Sequence, residues 1–236
     1  MLTLARRLLR DHALSAPDTW ERHLIVADLV RDARSVLDVG GLPGQLDAFL
    51  PGAKVLAANI SEPADLLVDP GELPFRDGVF DATTSLDVLE HVPAPDRPRF
   101  VAEQLRVSGG RTVLCCPLGT PEHVAAEAEI HAWYRELTGE DHPWLVEHAR
   151  NGLPTLDELQ HAFAVHEGPI RFAFHGDVRE VDAQFRRIVL ARHRHRPGDV
   201  LGYAAFRLPY RPGTALSDTP SPYANRVFVI ADRARS

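Results

Sequence analysis

The sequence predicts an α/β fold built on a doubly wound, mostly parallel sheet of seven strands, with a helical lid inserted in it. Short runs that are apolar almost throughout recur along the chain, which is typical of central parallel strands covered on both faces. Segments with helical periodicity separate several of these runs, and that alternation is the pattern of a doubly wound sheet. Glycines end the first run, where such a sheet needs a sharp turn.

The apolar runs place the strands. Seven strands are predicted, at residues 35–41, 54–60, 65–69, 80–87, 111–117, 170–176 and 226–232. Leucines at helical spacing predict a short amphipathic helix at the N-terminus, within residues 1–14. Further helices are predicted at residues 18–33, 45–50, 96–106 and 177–195. Asp18 and Asp177 are the expected N-caps of the first and last of these.

Composition limits the classes of protein that this chain can belong to. With 236 residues, 44% of them hydrophobic, the chain can bury a full core without metal or disulfide staples. A net charge of −7 argues against a nucleic-acid partner. No apolar stretch suits a signal peptide or a membrane span, so we expect a cytoplasmic protein with no membrane partner. Cys115 and Cys116 are adjacent, and we expect them to be buried free thiols.

The turn after the first strand, VLDVGGLPG, indicates a nucleotide-type cofactor. Its glycines, Gly40, Gly41 and Gly44, permit positive φ angles and let a ligand approach the backbone closely. A nucleotide-dependent dehydrogenase is disfavoured, because these glycines do not have the G-x-G-x-x-G spacing of dinucleotide-binding folds.

Three ordered segments resemble the class I S-adenosylmethionine-dependent methyltransferases, in particular the type 11 family. Asp38, Gly40 and Gly44 match the first motif, which reads acidic-x-Gly-x-Gly-x-Gly, whereas Leu42 replaces the middle glycine. VDPGELPFRDGVFD and FDATTSLDVLEHVP then follow in the family's order, at residues 68–81 and 80–93. The resemblance covers residues 34–117 and implies a Rossmann-like fold.

The resemblance also implies a cofactor and its binding residues. The cofactor is S-adenosylmethionine, with S-adenosylhomocysteine as the product. Asn59 stands where the family has an acidic residue that binds the ribose hydroxyls, so this position departs from the pattern. The expected cofactor-binding residues are Asp38, Gly40, Gly41, Gly44, Asn59, Asp69, Gly71, Glu72, Leu73, Ser85 and Leu86.

Asp87, Glu90 and His91 share one face if the segment after the fourth strand is helical. Two carboxylates and an imidazole are weak candidates for a divalent metal site, and their oxygen atoms favour Mg²⁺. The alternatives are a packing motif and a catalytic His91 beside the transferred methyl group. We expect no resident metal, and His91 is a catalytic candidate.

Residues 118–165 are rich in histidine and aromatic side chains and are predicted to form the lid. His142 and His148 are the preferred candidates for removing a proton from the acceptor. The cationic run at 192–196 ends a predicted helix, where it complements the helix dipole. An anionic substrate is the alternative reading of that run.

These observations predict one methyltransferase domain over residues 1–236. It comprises N-terminal helices (1–33), a cofactor-binding half (34–117), the lid and substrate region (118–165) and C-terminal strands with a helix (166–236). We expect transfer to a small-molecule acceptor, most simply O-methylation in natural-product or surface-glycan biosynthesis. A non-catalytic scaffold with the same fold is the alternative. The sequence leaves the oligomeric state open.

Overall fold

The computed structural model describes residues 17–194, 196–207 and 212–234. The helix predicted within residues 1–14 lies outside them. The strands are β1 (Ser35–Val39), β2 (Lys54–Asn59), β3 (Leu66–Leu67), β4 (Phe80–Leu86), β5 (Ser108–Pro117), β6 (Ile170–Asp177) and β7 (Ala224–Asp232). The helices are α1 (Pro17–Leu29), α2 (Arg97–Val107), α3 (Pro121–Thr138), α4 (Pro143–Asn151), α5 (Leu156–Ala162), α6 (Val178–Arg194) and α7 (Pro197–Arg207). Short 3₁₀ turns cover Leu89–His91 and Ala94–Asp96.

The seven strands form one sheet in the order β3-β2-β1-β4-β5-β7-β6. The pairs from β3 to β5 are parallel, and β7 alone runs antiparallel to both of its neighbours. The predicted mostly parallel, doubly wound sheet is therefore confirmed. The strand order reverses at β1, between β2 and β4, and open α/β sheets bind ligands at such a switch point.

The sheet has an apolar layer on each face, which explains why its strands are apolar almost throughout. On β1, Val36 packs into the cluster beneath α1, which includes Ile25. Leu37, the next residue, packs into the cluster on the opposite face, with Phe100 from α2 and Leu159 from α5. Both positions must be hydrophobic because successive side chains of a strand point to opposite faces.

The segment after the first strand corrects one prediction. Residues 45–50 form successive turns instead of a helix. Their hydrogen bonds join residues three apart, as from Phe49 N to Leu46 O at 2.9 Å and from Leu50 N to Asp47 O at 3.1 Å. Pro51 excludes the helical conformation for the residue before it, so the segment is too short to propagate a helix.

The other helix ends show which local signals determine structure. Asp177 accepts a hydrogen bond from the Arg179 backbone N–H at 2.9 Å, so the predicted cap of α6 is confirmed. The cap predicted at Asp18 is wrong, because α1 already begins at Pro17 and Asp18 lies in its first turn. The end of α6 at Arg194 falls inside the cationic run, as the dipole interpretation predicts.

Cys115 and Cys116 are free and buried, as predicted. Within the described ranges, none of the helices combines the length and hydrophobicity that crossing a bilayer demands.

Candidate functional site

The three predicted motif segments lie at the carboxyl ends of the parallel strands β1, β3 and β4. Asp38 on β1 lies opposite Thr84 on β4, and Val39 lies opposite Ala58 on β2. The Gly40 N–H then donates to the Ala58 carbonyl at 2.7 Å, which holds the start of the glycine loop against β2. Parallel strands place these segments at one edge of the sheet, where the loop forms the floor of the candidate site.

The glycine loop requires glycine at Gly40 and Gly44. Both have a φ of +84°, which is in the left-handed region that other residues rarely adopt. A Cβ atom at Gly40 would lie 2.2 Å from Cγ2 of Val88, in the segment that follows β4. The loop after β1 and the segment after β4 therefore touch, and only a glycine allows that contact.

Asp38 lies directly beneath the loop. Its side chain is 2% exposed and accepts a hydrogen bond from Oγ1 of Thr84 at 2.8 Å. Burial raises the pKa of Asp38 to about 6, which the Thr84 hydrogen bond only partly offsets. A Cβ atom at Gly41 would lie 1.9 Å from Oδ2 of Asp38, so the loop backbone packs on the carboxylate itself.

Asn59 explains why this chain departs from the acidic residue of the family pattern. Its Nδ2 donates to the carbonyls of Gly40 at 3.1 Å and Gly41 at 3.3 Å, and its Oδ1 accepts from the Ile60 N–H at 2.8 Å. A carboxylate has no proton to donate to these carbonyls. The amide therefore braces the glycine loop. Leu42, the other departure, is 42% exposed on the outside of the loop.

The turn at Asp69–Leu73 is held by α2. Oδ1 of Asp69 accepts from the Gly71 N–H at 2.8 Å, which closes a tight turn. The Leu73 N–H donates to Oε2 of Glu103 on α2 at 2.8 Å, and the Leu73 side chain is buried. Glu72 points to solvent. The turn thus presents backbone and Asp69 at the same edge as the glycine loop.

The predicted residues at the end of β4 are placed beside this loop. Ser85 is buried, and its Oγ has no hydrogen-bond partner among the described residues. Leu86 is the last residue of the strand. Asp87 follows with a φ of 52°, and its N–H donates to the Cys115 carbonyl at 2.8 Å. This left-handed residue turns the chain sharply toward the 3₁₀ turn.

Asp87 belongs to a buried ion-pair network that joins α1, β4 and β7. Arg226 donates to both of its carboxylate oxygens, at 2.9 and 2.6 Å, and Nη1 of Arg22 lies 2.7 Å from Oδ2. Arg226 also bonds Asp18 through Nη1. Burial opposes ionisation, but Arg22 and Arg226 hold the pKa of Asp87 well below its usual range. Asp87 is therefore committed to structure and does not join Glu90 and His91.

His148 takes the place that sequence analysis gave to Asp87. The ligand-type atoms of Glu90, His91 and His148 all lie within 4.8 Å of one another. Each histidine is held by a glutamate: Nδ1 of His91 lies 2.8 Å from Oε2 of Glu147, and Nδ1 of His148 lies 2.9 Å from Oε1 of Glu127. Here these three residues are called the Glu90–His91–His148 cluster.

The environment of this cluster shifts its acid–base equilibria. Burial, and then the charge of Asp87, raise the pKa of Glu90 well above its usual value. Burial and the proximity of His148 lower the pKa of His91. Perturbed groups that converge in this way are characteristic of functional sites.

Helix α4 is fixed over the 3₁₀ turn by two long-range contacts. Nδ2 of Asn151 donates to the His91 carbonyl at 2.8 Å and to the Glu90 carbonyl at 3.3 Å. Nη2 of Arg97 bonds the carbonyls of Asn151 and Gly152 at the end of α4. These bonds bring His148 to His91 across 57 residues of sequence, with ring centroids 5.0 Å apart.

His142 lies in an aromatic group. Its ring lies 5.0 Å from Tyr134, 5.5 Å from Trp144 and 5.3 Å from Phe185, measured between centroids. Burial lowers its pKa, and the nearby His131 lowers it further. The His148 ring lies beside that of His91, and the charge of His148 also lowers the pKa of His142, so the joint catalytic role of His142 and His148 stays a prediction.

Sequence analysis missed the residues that hold the predicted ones in place. Their common property is a partner far away in sequence, and no local motif signals such a partner. These residues are Asp18, Arg22, Arg97, Glu127, Glu147, Asn151 and Arg226.

Residues 37–114 match the family model Methyltransf_11, described as a methyltransferase domain. No curated protein matches the sequence significantly.

Among solved structures, the chain resembles a geranyl diphosphate methyltransferase in complex with S-adenosylmethionine, with a TM-score of 0.58 and 14% identity, over 98% of this chain and 90% of that one. It resembles a S-adenosylmethionine-dependent methyltransferase from Archaeoglobus fulgidus with a TM-score of 0.55 and 12% identity, over 97% and 99%. For a magnesium protoporphyrin IX methyltransferase from Synechocystis with bound S-adenosylhomocysteine, the TM-score is 0.51 and the identity 14%, over 92% of this chain and 84% of that one.

At these identities the solved structures show a shared fold, and the family model covers the three motif segments, from β1 to β5. Residues 37–114 therefore match the model of the type 11 methyltransferase family, and the chain has the Rossmann-like fold of S-adenosylmethionine-dependent methyltransferases.

Proposed function

We propose that this protein transfers the methyl group of S-adenosylmethionine to a small-molecule acceptor and releases S-adenosylhomocysteine. The observation that carries the proposal is the loop at Gly40, where a positive φ and the contact with Val88 exclude any side chain. Such a loop lets a ligand lie directly on the backbone. S-Adenosylmethionine supplies a methyl group carried on a positively charged sulfur.

The residues at this edge suit such a cofactor. We propose that Asp38 and the backbone of the glycine loop hold its cationic methionine end, since a carboxylate with a pKa of about 6 is mostly ionised at neutral pH. The turn at Asp69–Leu73 would hold the adenine, and the backbone of Ser85 and Leu86 would border the reacting end. Asn59 contributes by keeping the loop in shape.

The acceptor side faces the Glu90–His91–His148 cluster. We propose an oxygen nucleophile, such as a hydroxyl of a natural product or a surface glycan, because the carboxylate-paired imidazoles suit the removal of a hydroxyl proton. His142, with its aromatic neighbours, would contact the body of the acceptor. Methyl transfer is an in-line displacement, so the remaining task of the protein is to position the two reactants and exclude water.

Calorimetric titration with S-adenosylmethionine tests the cofactor site. We expect saturable binding by the wild type, and binding reduced to the detection limit in Asp38→Ala. The control is Asp28→Ala, because Asp28 is exposed on α1 and bonds only Arg31 among the described residues. Absence of binding by the wild type would refute the enzyme and favour a non-catalytic scaffold. Preference for NADH would instead support a dehydrogenase.

A further inference from the structure

Two buried polar atoms of the Glu90–His91–His148 cluster have no hydrogen-bond partner among the described residues, which indicates a bound ligand. Glu90 is 1% exposed, and its Oε2 has no hydrogen-bond partner among the described residues. Nε2 of His148 is likewise buried and without a partner. Buried polar atoms are nearly always satisfied, so two orphaned atoms in one cluster require an explanation.

Neighbouring cations do not supply the missing partner. Arg226 directs Nε and Nη2 at Asp87 and Nη1 at Asp18. Nη1 of Arg22 also lies against Asp87, at 2.7 Å. The described hydrogen bonds of both guanidinium groups thus go to other carboxylates, and Oε2 of Glu90 stays buried without a hydrogen-bond partner among the described residues.

The histidines are oriented as metal ligands usually are. Metal-binding histidines typically donate one ring N–H to a carboxylate, which fixes the tautomer and leaves a lone pair on the other nitrogen. Glu147 holds Nδ1 of His91 at 2.8 Å, and Glu127 holds Nδ1 of His148 at 2.9 Å. With a proton on each Nδ1, both Nε2 atoms are free to bind a cation.

We propose that Glu90, His91 and His148 bind one Zn²⁺ ion or a similar transition-metal ion. Two imidazoles and one carboxylate form a set that zinc accepts with one position left open, whereas Mg²⁺ prefers oxygen ligands throughout. In a tetrahedral site with bonds of about 2.0–2.1 Å, ligand atoms stand about 3.3 Å apart. The ligand atoms of the three residues already lie within 4.8 Å of one another.

The bound ion would also act on the acceptor, and this part of the proposal rests on the proposed methyl transfer. An acceptor hydroxyl at the open position would lose its proton to solvent more readily, because a bound metal ion lowers the pKa of an oxygen ligand. The oxygen then forms its bond to the methyl carbon as the carbon–sulfur bond breaks, and the sulfur keeps that electron pair. With the ion bound, the metal takes over the proton-removing role that the proposed function gives to the imidazoles, and His91 and His148 act as its ligands.

The experiment is a zinc titration of tag-free, chelator-treated protein, followed by competition with a chromophoric chelator and without any methyl donor. We expect one Zn²⁺ per chain, and a loss of affinity on the order of 100-fold or more in His148→Ala and in the isosteric Glu90→Gln. Glu127→Gln, which removes only the orienting carboxylate, should cost about 10- to 100-fold. His161→Ala, an exposed histidine on α5, is the matched control and should keep wild-type affinity.

Circular dichroism of each variant shows whether it is folded. Substitution of cobalt for zinc gives a second readout, because a change in the visible absorption bands of bound cobalt in Glu90→Gln reports directly that Glu90 is a ligand. Absence of Zn²⁺ binding by the wild type, or unchanged affinity in both His148→Ala and Glu90→Gln, would overturn the proposal. The readout is independent of methyl transfer: zinc binding without S-adenosylmethionine binding would refute only the proposed function, and the reverse result would refute only the metal site.

Discussion

Replacing Asp38 with asparagine should make the stability of the protein less dependent on pH. Asp38 is 2% exposed, and burial raises its pKa in the folded state from 3.8 to about 6. Because the folded state holds the proton more tightly, the stabilisation linked to Asp38 is present below pH 3.8 and is lost as the pH rises through about 6. Asparagine has no such titration and still offers an oxygen to Thr84.

The size of the effect follows from the shift. A shift of about two pKa units corresponds to about 3 kcal/mol between the two ends of the window. Between about pH 4.5 and about pH 7.5, the wild type should lose about 2 kcal/mol of unfolding free energy relative to Asp38→Asn. S-Adenosylmethionine binding should weaken in the same variant, so a gain in stability at neutral pH would accompany a loss of function.

Urea unfolding at a series of pH values measures this difference. Only the pH-dependent part of the difference in unfolding free energy is compared. The new amide also changes packing against Gly41, and this adds a contribution that does not vary with pH. Asp28→Asn is the control, since that exposed carboxylate should give a nearly flat difference. A difference between Asp38→Asn and wild type that does not change with pH, or that changes in the opposite direction, would refute the reasoning.

Three further substitutions test the architecture of the site. Gly40→Ala should lower the unfolding free energy by about 1–3 kcal/mol and abolish cofactor binding, because Gly40 has a positive φ and a Cβ atom there would clash with Val88. The control is Gly52→Ala, whose Cβ atom would meet no other atom. It should change neither the calorimetric titration nor urea unfolding. Arg226→Met should cost about 3–5 kcal/mol in unfolding free energy, because the buried carboxylates of Asp18 and Asp87 would then have to share Arg22; a loss as small as that of the exposed Arg31→Met would argue against the network. Asn151→Ala should cost about 1–2 kcal/mol and speed amide exchange in α4, and unchanged exchange there would contradict its docking role.

The strands and the glycine loop were predictable because they depend on interactions between residues close in sequence. An apolar run such as 35–39 must be buried on both faces, and this follows from composition alone. Gly40 is where it is because a strand must turn there with a positive φ. The turns at 45–50 show the limit of local reasoning, since periodicity indicated a helix and the flanking prolines prevented it.

The sequence by itself therefore determined the approximate positions of the strands along the chain, the glycine loop with Asp38, and the presence of Glu90 and His91 after β4. Only the tertiary structure decided which groups share a site. It assigned Asp87 to Arg226, 139 residues away, and brought His148 to Glu90 and His91 in its place. The physical reason is that a buried charge or imidazole is fixed by the nearest available partner in space, and sequence spacing does not record that distance.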